Sequence, residues 1–168
     1  MSFNQALLRE NDSEARKQLK KYYSELLEGY EITYIDYNEH EYGKFLQSSG
    51  VDMIATKYNS YGSIHKQFFF QEKITFNRYS KLLFEYEKRS GEEGWATSLQ
   101  EKADFLVYYQ AGRIYLIDFA ECREYLRKNL AQLKLSGYCR TDNHNVLVSI
   151  SELEKHVKME VYESEQVQ

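Results

Sequence analysis

Gly50-Val51-Asp52-Met53-Ile54-Ala55, followed across a turn bearing Tyr and Gly by Phe68-Phe69-Phe70-Gln71-Glu72-Lys73-Ile74, reads as two consecutive strands. The expected hairpin runs Val51 to Lys57 and Gln67 to Thr75. Side chains alternate along a strand, so Gln71 and Lys73 share one face while Phe70, Glu72 and Ile74 share the other. If Asp52 lies on the Gln71 face, its carboxylate and the Gln71 amide oxygen form a hard-oxygen pair suited to Mg²⁺ or Mn²⁺, with the Lys73 ammonium beside them. Such a layout holds a divalent metal against a phosphate. Glu72 has two routes to the same metal: its backbone carbonyl lies between Gln71 and Lys73, and a bulge would bring its carboxylate round.

Outward from the hairpin, Leu19, Tyr22, Tyr23, Leu26, Leu27 and Tyr30 recur at helical spacing, predicting a helix from Asp12 or Ser13 to Gly29. Its other face carries Arg16, Lys17, Lys20 and Lys21, the densest basic cluster of the chain, either a solvated face or a phosphate contact. A short strand is expected around residues 32–37, then a polar loop or short helix from Asn38 to Ser49. A third strand is expected over Lys81 to Glu87, with Glu85 in phase with Leu83, and a Gly-bearing loop over Lys88 to Trp95. Phe105 to Tyr109 and Arg113 to Ile117 flank Gln110-Ala111-Gly112, a second hairpin. The remaining elements are a helix from Phe119 to Lys134, a strand from Asn145 to Ile150 and a helix from Glu152 to Met159 capped by Ser151. The order is that of an α/β layered fold, a single domain with a mixed sheet and helices on both faces. Residues 1–11 are expected to form an arm, 12–159 the domain and 160–168 a flexible tail.

Composition narrows the classes. At 168 residues the chain suits one core. Sixteen Tyr and nine Phe with no Pro favour half-buried pleated surfaces, and could equally furnish base-stacking surfaces. A net charge of -4 gives no overall pull toward nucleic acid, so DNA binding has to come from a local patch. Mean hydropathy is -0.69, and no apolar run approaches the roughly 20 residues of a membrane span. The first residues lack a basic stretch followed by an apolar one, so no secretory signal is expected and the cytosol is the expected compartment. Cys122 and Cys139 have no metal-ligand spacing and are expected reduced, and the four His are scattered. Nucleotide-binding and serine-hydrolase motifs are absent.

The spacing of Gly50-Val51-Asp52 to Gln71-Glu72-Lys73 resembles the PD-(D/E)xK nuclease superfamily, which includes restriction enzymes and Holliday-junction resolvases. Asn77-Arg78, Leu83-Phe84-Glu85-Tyr86-Glu87, Gly94-Trp95-Ala96-Thr97-Ser98 and Lys102-Ala103-Asp104-Phe105-Leu106-Val107-Tyr108-Tyr109 look like the small phage and bacterial members. The resemblance spans roughly residues 13–150 and is sharpest over 50–109. It implies a restriction-endonuclease-like fold and a Mg²⁺- or Mn²⁺-dependent DNA endonuclease, with structure-specific cleavage as one option. On that reading Asp52 and Gln71 are ligands and Lys73 is the catalytic cation. Gln71 stands where Glu or Asp is commonest, a Gln-x-Lys variant also found in Mrr-like nucleases. Glu72 stands where an apolar residue is usual, and is the alternative ligand.

A further acid would come from Glu25 on the first helix, which could instead pair with Lys21, or from Glu85. Asp104 opens its strand and reads equally as a site residue or a local cap. Arg78 and Arg89, in loops beside the catalytic strands with Trp95 as an aromatic neighbour, are candidate phosphate contacts. Many nucleases of this fold are dimers, so a homodimer is implied by analogy. The competing class is a non-catalytic binding module that keeps the nuclease fold, such as a phage-encoded interaction or inhibitor protein. The neutral Gln71 and the missing basic surplus suit it.

Overall fold

The structure, a computed structural model, describes residues 14–35, 46, 49–75 and 78–163. The expected N-terminal arm, the Asp12 or Ser13 cap, most of the Asn38 to Ser49 stretch, Asn77 and residues 164–168 lie outside the described residues. In chain order the elements are α1 (Glu14–Leu26), β1 (Glu31–Tyr34), β2 (Met53–Tyr58), β3 (Ile64–Thr75), β4 (Lys81–Glu87), β5 (Phe105–Gln110), β6 (Arg113–Asp118), α2 (Phe119–Gly137), β7 (Tyr138–Arg140), β8 (His144–Ser149), α3 (Ile150–Leu153) and β9 (Met159–Glu163).

The fold is mixed α/β with two sheets. Six strands run in the order β1-β2-β3-β5-β6-β9, and three in the order β4-β8-β7. Within the larger sheet only the β3–β5 pair is parallel. After β3 the chain leaves this sheet, forms β4 in the smaller one, and returns as β5 beside β3. The third expected strand therefore exists, but it pairs with β8, from Lys81 opposite Ser149 to Glu87 opposite His144. A run of alternating residues specifies a strand; it does not specify which sheet takes it.

Each face of the larger sheet packs against a different layer. Helix α1 turns Ala15, Leu19, Tyr22 and Tyr23 inward at one-turn and two-turn spacing. They pack on Met53, Ala55, Phe70, Val107, Tyr109 and Ile114. The opposite face, with Leu106, Tyr108, Tyr115 and Ile117, meets Cys122, Leu126 and Leu133 of α2 together with Leu82, Phe84, Val146 and Val148 of the smaller sheet. The second layer is thus a helix and a sheet together, not helices alone.

Local chemistry explains the boundaries. Asp118 caps α2, its Oδ1 accepting from Glu121 N at 3.0 Å. Ala111 and Gly112 join β5 to β6 with φ of 44° and 87°, a two-residue turn whose twist matches the strands. Residues 159–163 differ from expectation. The last helix is only the Ile150–Leu153 turn, and Met159–Glu163 is an edge strand on β6, with Met159 packing on one side and Tyr162 against Tyr22 on the other. The flexible tail expected from Glu160 is therefore ordered through Glu163. Both cysteines are free thiols, and no helix of the described residues is long and apolar enough to cross a membrane.

Candidate functional site

Strand β3 separates two chemistries. Its ladder with β5 runs unbroken from Phe70 opposite Phe105 to Thr75 opposite Gln110, so no bulge rotates Glu72. Gln71 and Lys73 face the α2 side with Leu106 and Tyr108, and Glu72 faces α1 with Val107.

Asp52 immediately precedes β2. Its N–H donates to Phe70 O at 2.8 Å, the residue that Met53 pairs with, and its carbonyl accepts from Ile35 N at 2.9 Å, which fixes Asp52 beside the Phe70–Glu72 stretch of β3. The carboxylate is fixed by the main chain, with Oδ2 accepting from Glu72 N at 2.7 Å. Gln71 is 4% exposed, and its Oε1 is buried without a hydrogen-bond partner. The Lys73 ammonium sits 4.6 Å from the Trp95 ring centroid, a cation–π contact that restrains it on this face.

A further acid reaches the site, and it is neither of those expected. Glu101 lies in the loop before β5, which is tied down by Lys102 N donating to Ser49 O at 2.8 Å and by Arg123 Nη1 donating to the Glu101 carbonyl at 2.8 Å. Its carboxyl occupies space above Gly50, where a Cβ would stand 1.4 Å from Glu101 Oε2; Gly50 has φ of +70°. That oxygen is buried without a hydrogen-bond partner. Burial pushes the Glu101 carboxyl up to about 7; Lys73 and Arg123 pull against this, and Asp52 adds to it. Glu101, Asp52 and Lys73 are thus within electrostatic reach of one another. No motif marks Glu101 in the sequence, because a loop position has no period to betray which way it points.

Glu72 has a different role from the alternative allowed it. Its carboxylate is ion-paired with Arg16 and accepts from Tyr23 Oη at 2.8 Å, both residues on α1. Burial raises its pKa above the usual range, although Arg16 and Tyr23 draw it back. Arg16 consequently faces the sheet and not solvent. Glu25 is exposed on α1, on the side of the sheet away from Gln71, and accepts from Tyr162 Oη at 3.2 Å. Glu85 lies on the smaller sheet, on the face opposite its buried Leu82, Phe84 and Tyr86, and accepts from Asn143 Nδ2 at 2.7 Å. Neither acid faces Asp52, since one is behind the sheet and the other on a separate sheet.

The structure also places the remaining candidates. Asp104 is a clamp between strands, accepting from Phe69 N at 2.9 Å. Lys17, Lys20, Lys21, Arg78 and Arg89 are exposed, with Lys17 3.9 Å from Glu14. Trp95 is partly buried between Phe84 and Phe119.

Among the described residues no three His, Cys, Asp or Glu side chains group as a metal site. The donors on the Gln71 face are two carboxylates, Asp52 and Glu101, and one amide oxygen. Two orphaned buried oxygens, Gln71 Oε1 and Glu101 Oε2, are what a hard cation needs and what a packed interior otherwise avoids. Comparison with family models, with curated proteins and with solved structures returns no match.

Proposed function

We propose that this protein is a Mg²⁺- or Mn²⁺-dependent endonuclease acting on DNA in the cytoplasm, built on a restriction-endonuclease-like variant of the mixed sheet. The observation that supports it most is the pair of partnerless buried oxygens, Gln71 Oε1 and Glu101 Oε2, beside the carboxylate of Asp52 and the ammonium of Lys73. Asp52, Gln71 and Glu101 would hold the metal. When bound, the cation supplies polarisation of a phosphate oxygen and acidification of a water.

The chain's own residues do the rest. Asp52 is held by the Glu72 N–H, so a ligand oxygen is set in place before any metal arrives. Lys73, restrained over Trp95, stabilises negative charge developing on the phosphate. Glu101 balances that ammonium when ionised and sheds its proton near neutrality. Its place over Gly50 couples it to the turn that carries Asp52.

The test is cleavage of labelled branched, single-stranded and duplex DNA with Mg²⁺ or Mn²⁺, by the native chain beside Lys73→Ala and Glu101→Gln. Cleavage should require metal and fall by about 10²–10³-fold in Lys73→Ala. Equal cleavage by the native chain and Lys73→Ala would overturn the assignment. A non-catalytic binding module is the second reading, favoured by the neutral Gln71 amide and by a Glu101 whose charge burial disfavours. Retained DNA binding with no metal-dependent cleavage would select it.

A further inference from the structure

Two cations on the α2 side of the larger sheet stand on a pair of neighbouring aromatic rings. The Lys73 ammonium lies 4.6 Å from the Trp95 centroid, and the Arg123 guanidinium carbon lies 4.6 Å from that of Phe119. The two rings are 6.0 Å apart, centroid to centroid. Helical spacing fixes the second half of this arrangement, since Arg123 follows Phe119 by one turn near the start of α2 and Phe119 is fully buried. An Arg stacked on an immobile ring has given up much of its rotamer freedom before a ligand arrives.

Neither cation is spent on a protein anion. Among the described residues no carboxylate lies within ion-pair distance of Lys73 or Arg123. Acids are nonetheless near: Lys73, Arg123 and Lys88 all act on the Glu101 carboxyl, and Arg123 also feels Asp104. Lys88 is taken up by Glu92 at 3.3 Å, and Asp104 accepts from Phe69 N. Arg123 Nη1 donates to the main-chain carbonyl of Glu101 at 2.8 Å and not to its carboxylate. The remaining N–H donors of that fork have no partner among the described residues, and Arg123 is only partly buried. Two restrained, partly buried cations with donors to spare make a place where an anion is favoured.

We infer that Lys73 and Arg123 form one phosphate-binding site, in which the Arg123 fork takes two oxygens of a phosphodiester and Lys73 supplies a point charge beside it. The planar guanidinium matches a pair of phosphate oxygens, and the compact ammonium follows charge as it develops. Glu101 is within electrostatic reach of both, which keeps the anion next to the proposed metal ligands. This inference rests on the nuclease reading and adds α2 to the substrate contacts of that site.

Trp95, the only Trp of the chain, reports on the site without catalysis. Inorganic phosphate titrated in EDTA should give a saturable change in its emission, and anisotropy with labelled oligothymidylate gives an affinity and a salt slope. Arg123→Gln should weaken both ligands by about tenfold and lower the salt slope by about one. Arg123→Lys should keep the slope and lose about threefold in affinity, because the charge remains and the fork does not. Lys128→Gln removes an exposed charge paired with Glu124 on the same helix, and should leave phosphate affinity unaltered. Phosphate affinity within about twofold in Arg123→Gln, an equal loss in Lys128→Gln, or no saturable signal from the native chain overturns the inference. If Arg123→Gln does not fold, native affinity in Arg123→Lys overturns it instead. The two proposals fail separately: metal-dependent cleavage with phosphate binding unmoved by Arg123→Gln overturns the phosphate site alone, whereas Arg123-dependent binding with no cleavage by the native chain overturns the nuclease alone.

Discussion

On one side of β3, Glu72 is engaged by Arg16 and Tyr23 of α1; on the other, one residue away, Gln71 Oε1 has no partner, and neither has Glu101 Oε2 in the loop within electrostatic reach of Lys73 and Asp52. The same strand thus carries a satisfied buried charge on one face and an unsatisfied buried amide oxygen on the other. The first is what a fold needs. The second costs stability, and on the proposed function the two faces divide the labour between holding the sheet to α1 and receiving a cation.

The largest break in this comparison comes from Glu72→Ala. It removes the Glu72 carboxylate from the part-buried Arg16 guanidinium and leaves Tyr23 without its acceptor, and urea unfolding should show a loss of about 2–3 kcal/mol. Mn²⁺ affinity of the folded protein should change little, because the Glu72 contribution to Asp52 is a backbone N–H. If stability is unmoved, Glu72 is not the structural half of the strand.

Gly50→Ala is next, with both faces of the comparison in play. An L side chain at φ of +70° costs about 1–2 kcal/mol, and the new methyl takes the space of the Glu101 carboxyl. Calorimetry should record the destabilisation, and Mn²⁺ titration a loss of affinity. Retained affinity would remove Glu101 from the ligand set. Gln71→Met sharpens the contrast in the opposite direction: it removes an unsatisfied acceptor at similar volume, so urea unfolding should report a gain of about 1 kcal/mol while cleavage is lost. A loss of stability on that substitution would mean that the amide is structural.

How much of this was legible in the sequence follows from what alternation can and cannot encode. The period-two pattern gives the correct faces for Gln71, Glu72 and Lys73, and the hairpin brings the Asp52 carboxylate to the Glu72 N–H. Side-chain phase, however, is a property of one strand. It did not reveal that β4 joins another sheet, which carries Glu85 away with it, or that residues 159–163 complete the edge of the larger sheet. Arg16 read as part of a solvent-facing basic stripe because helical phase does not register a salt bridge to Glu72, 56 residues on. Glu101 was invisible for a similar reason: it is recruited by a loop folded over a glycine, a long-range contact with no local signature.

The smallest expected effect is the pH dependence of the metal-free protein, and its sign is diagnostic. Glu101 has an ordinary pKa near 4.5 in the unfolded chain and about 7 in the folded one, chiefly because burial disfavours its charge. Below about 4.5 both states hold the proton, and the site adds no penalty. As pH rises toward 7 the unfolded chain releases its proton first, so the Glu101 contribution to stability falls across that window and is constant above it. Glu101 is partly exposed, which limits the change to on the order of 1 kcal/mol. Denaturant midpoints between pH 4.5 and 8 should therefore fall more steeply for the native chain than for Glu101→Gln. Mn²⁺ should reverse the difference above pH 7, because a cation takes the place of the departing proton and binds the deprotonated carboxylate. Parallel curves with and without Glu101, or a Mn²⁺ effect that survives its replacement, would mean that the unpartnered oxygen is a packing defect of the loop and not half of a ligand pair.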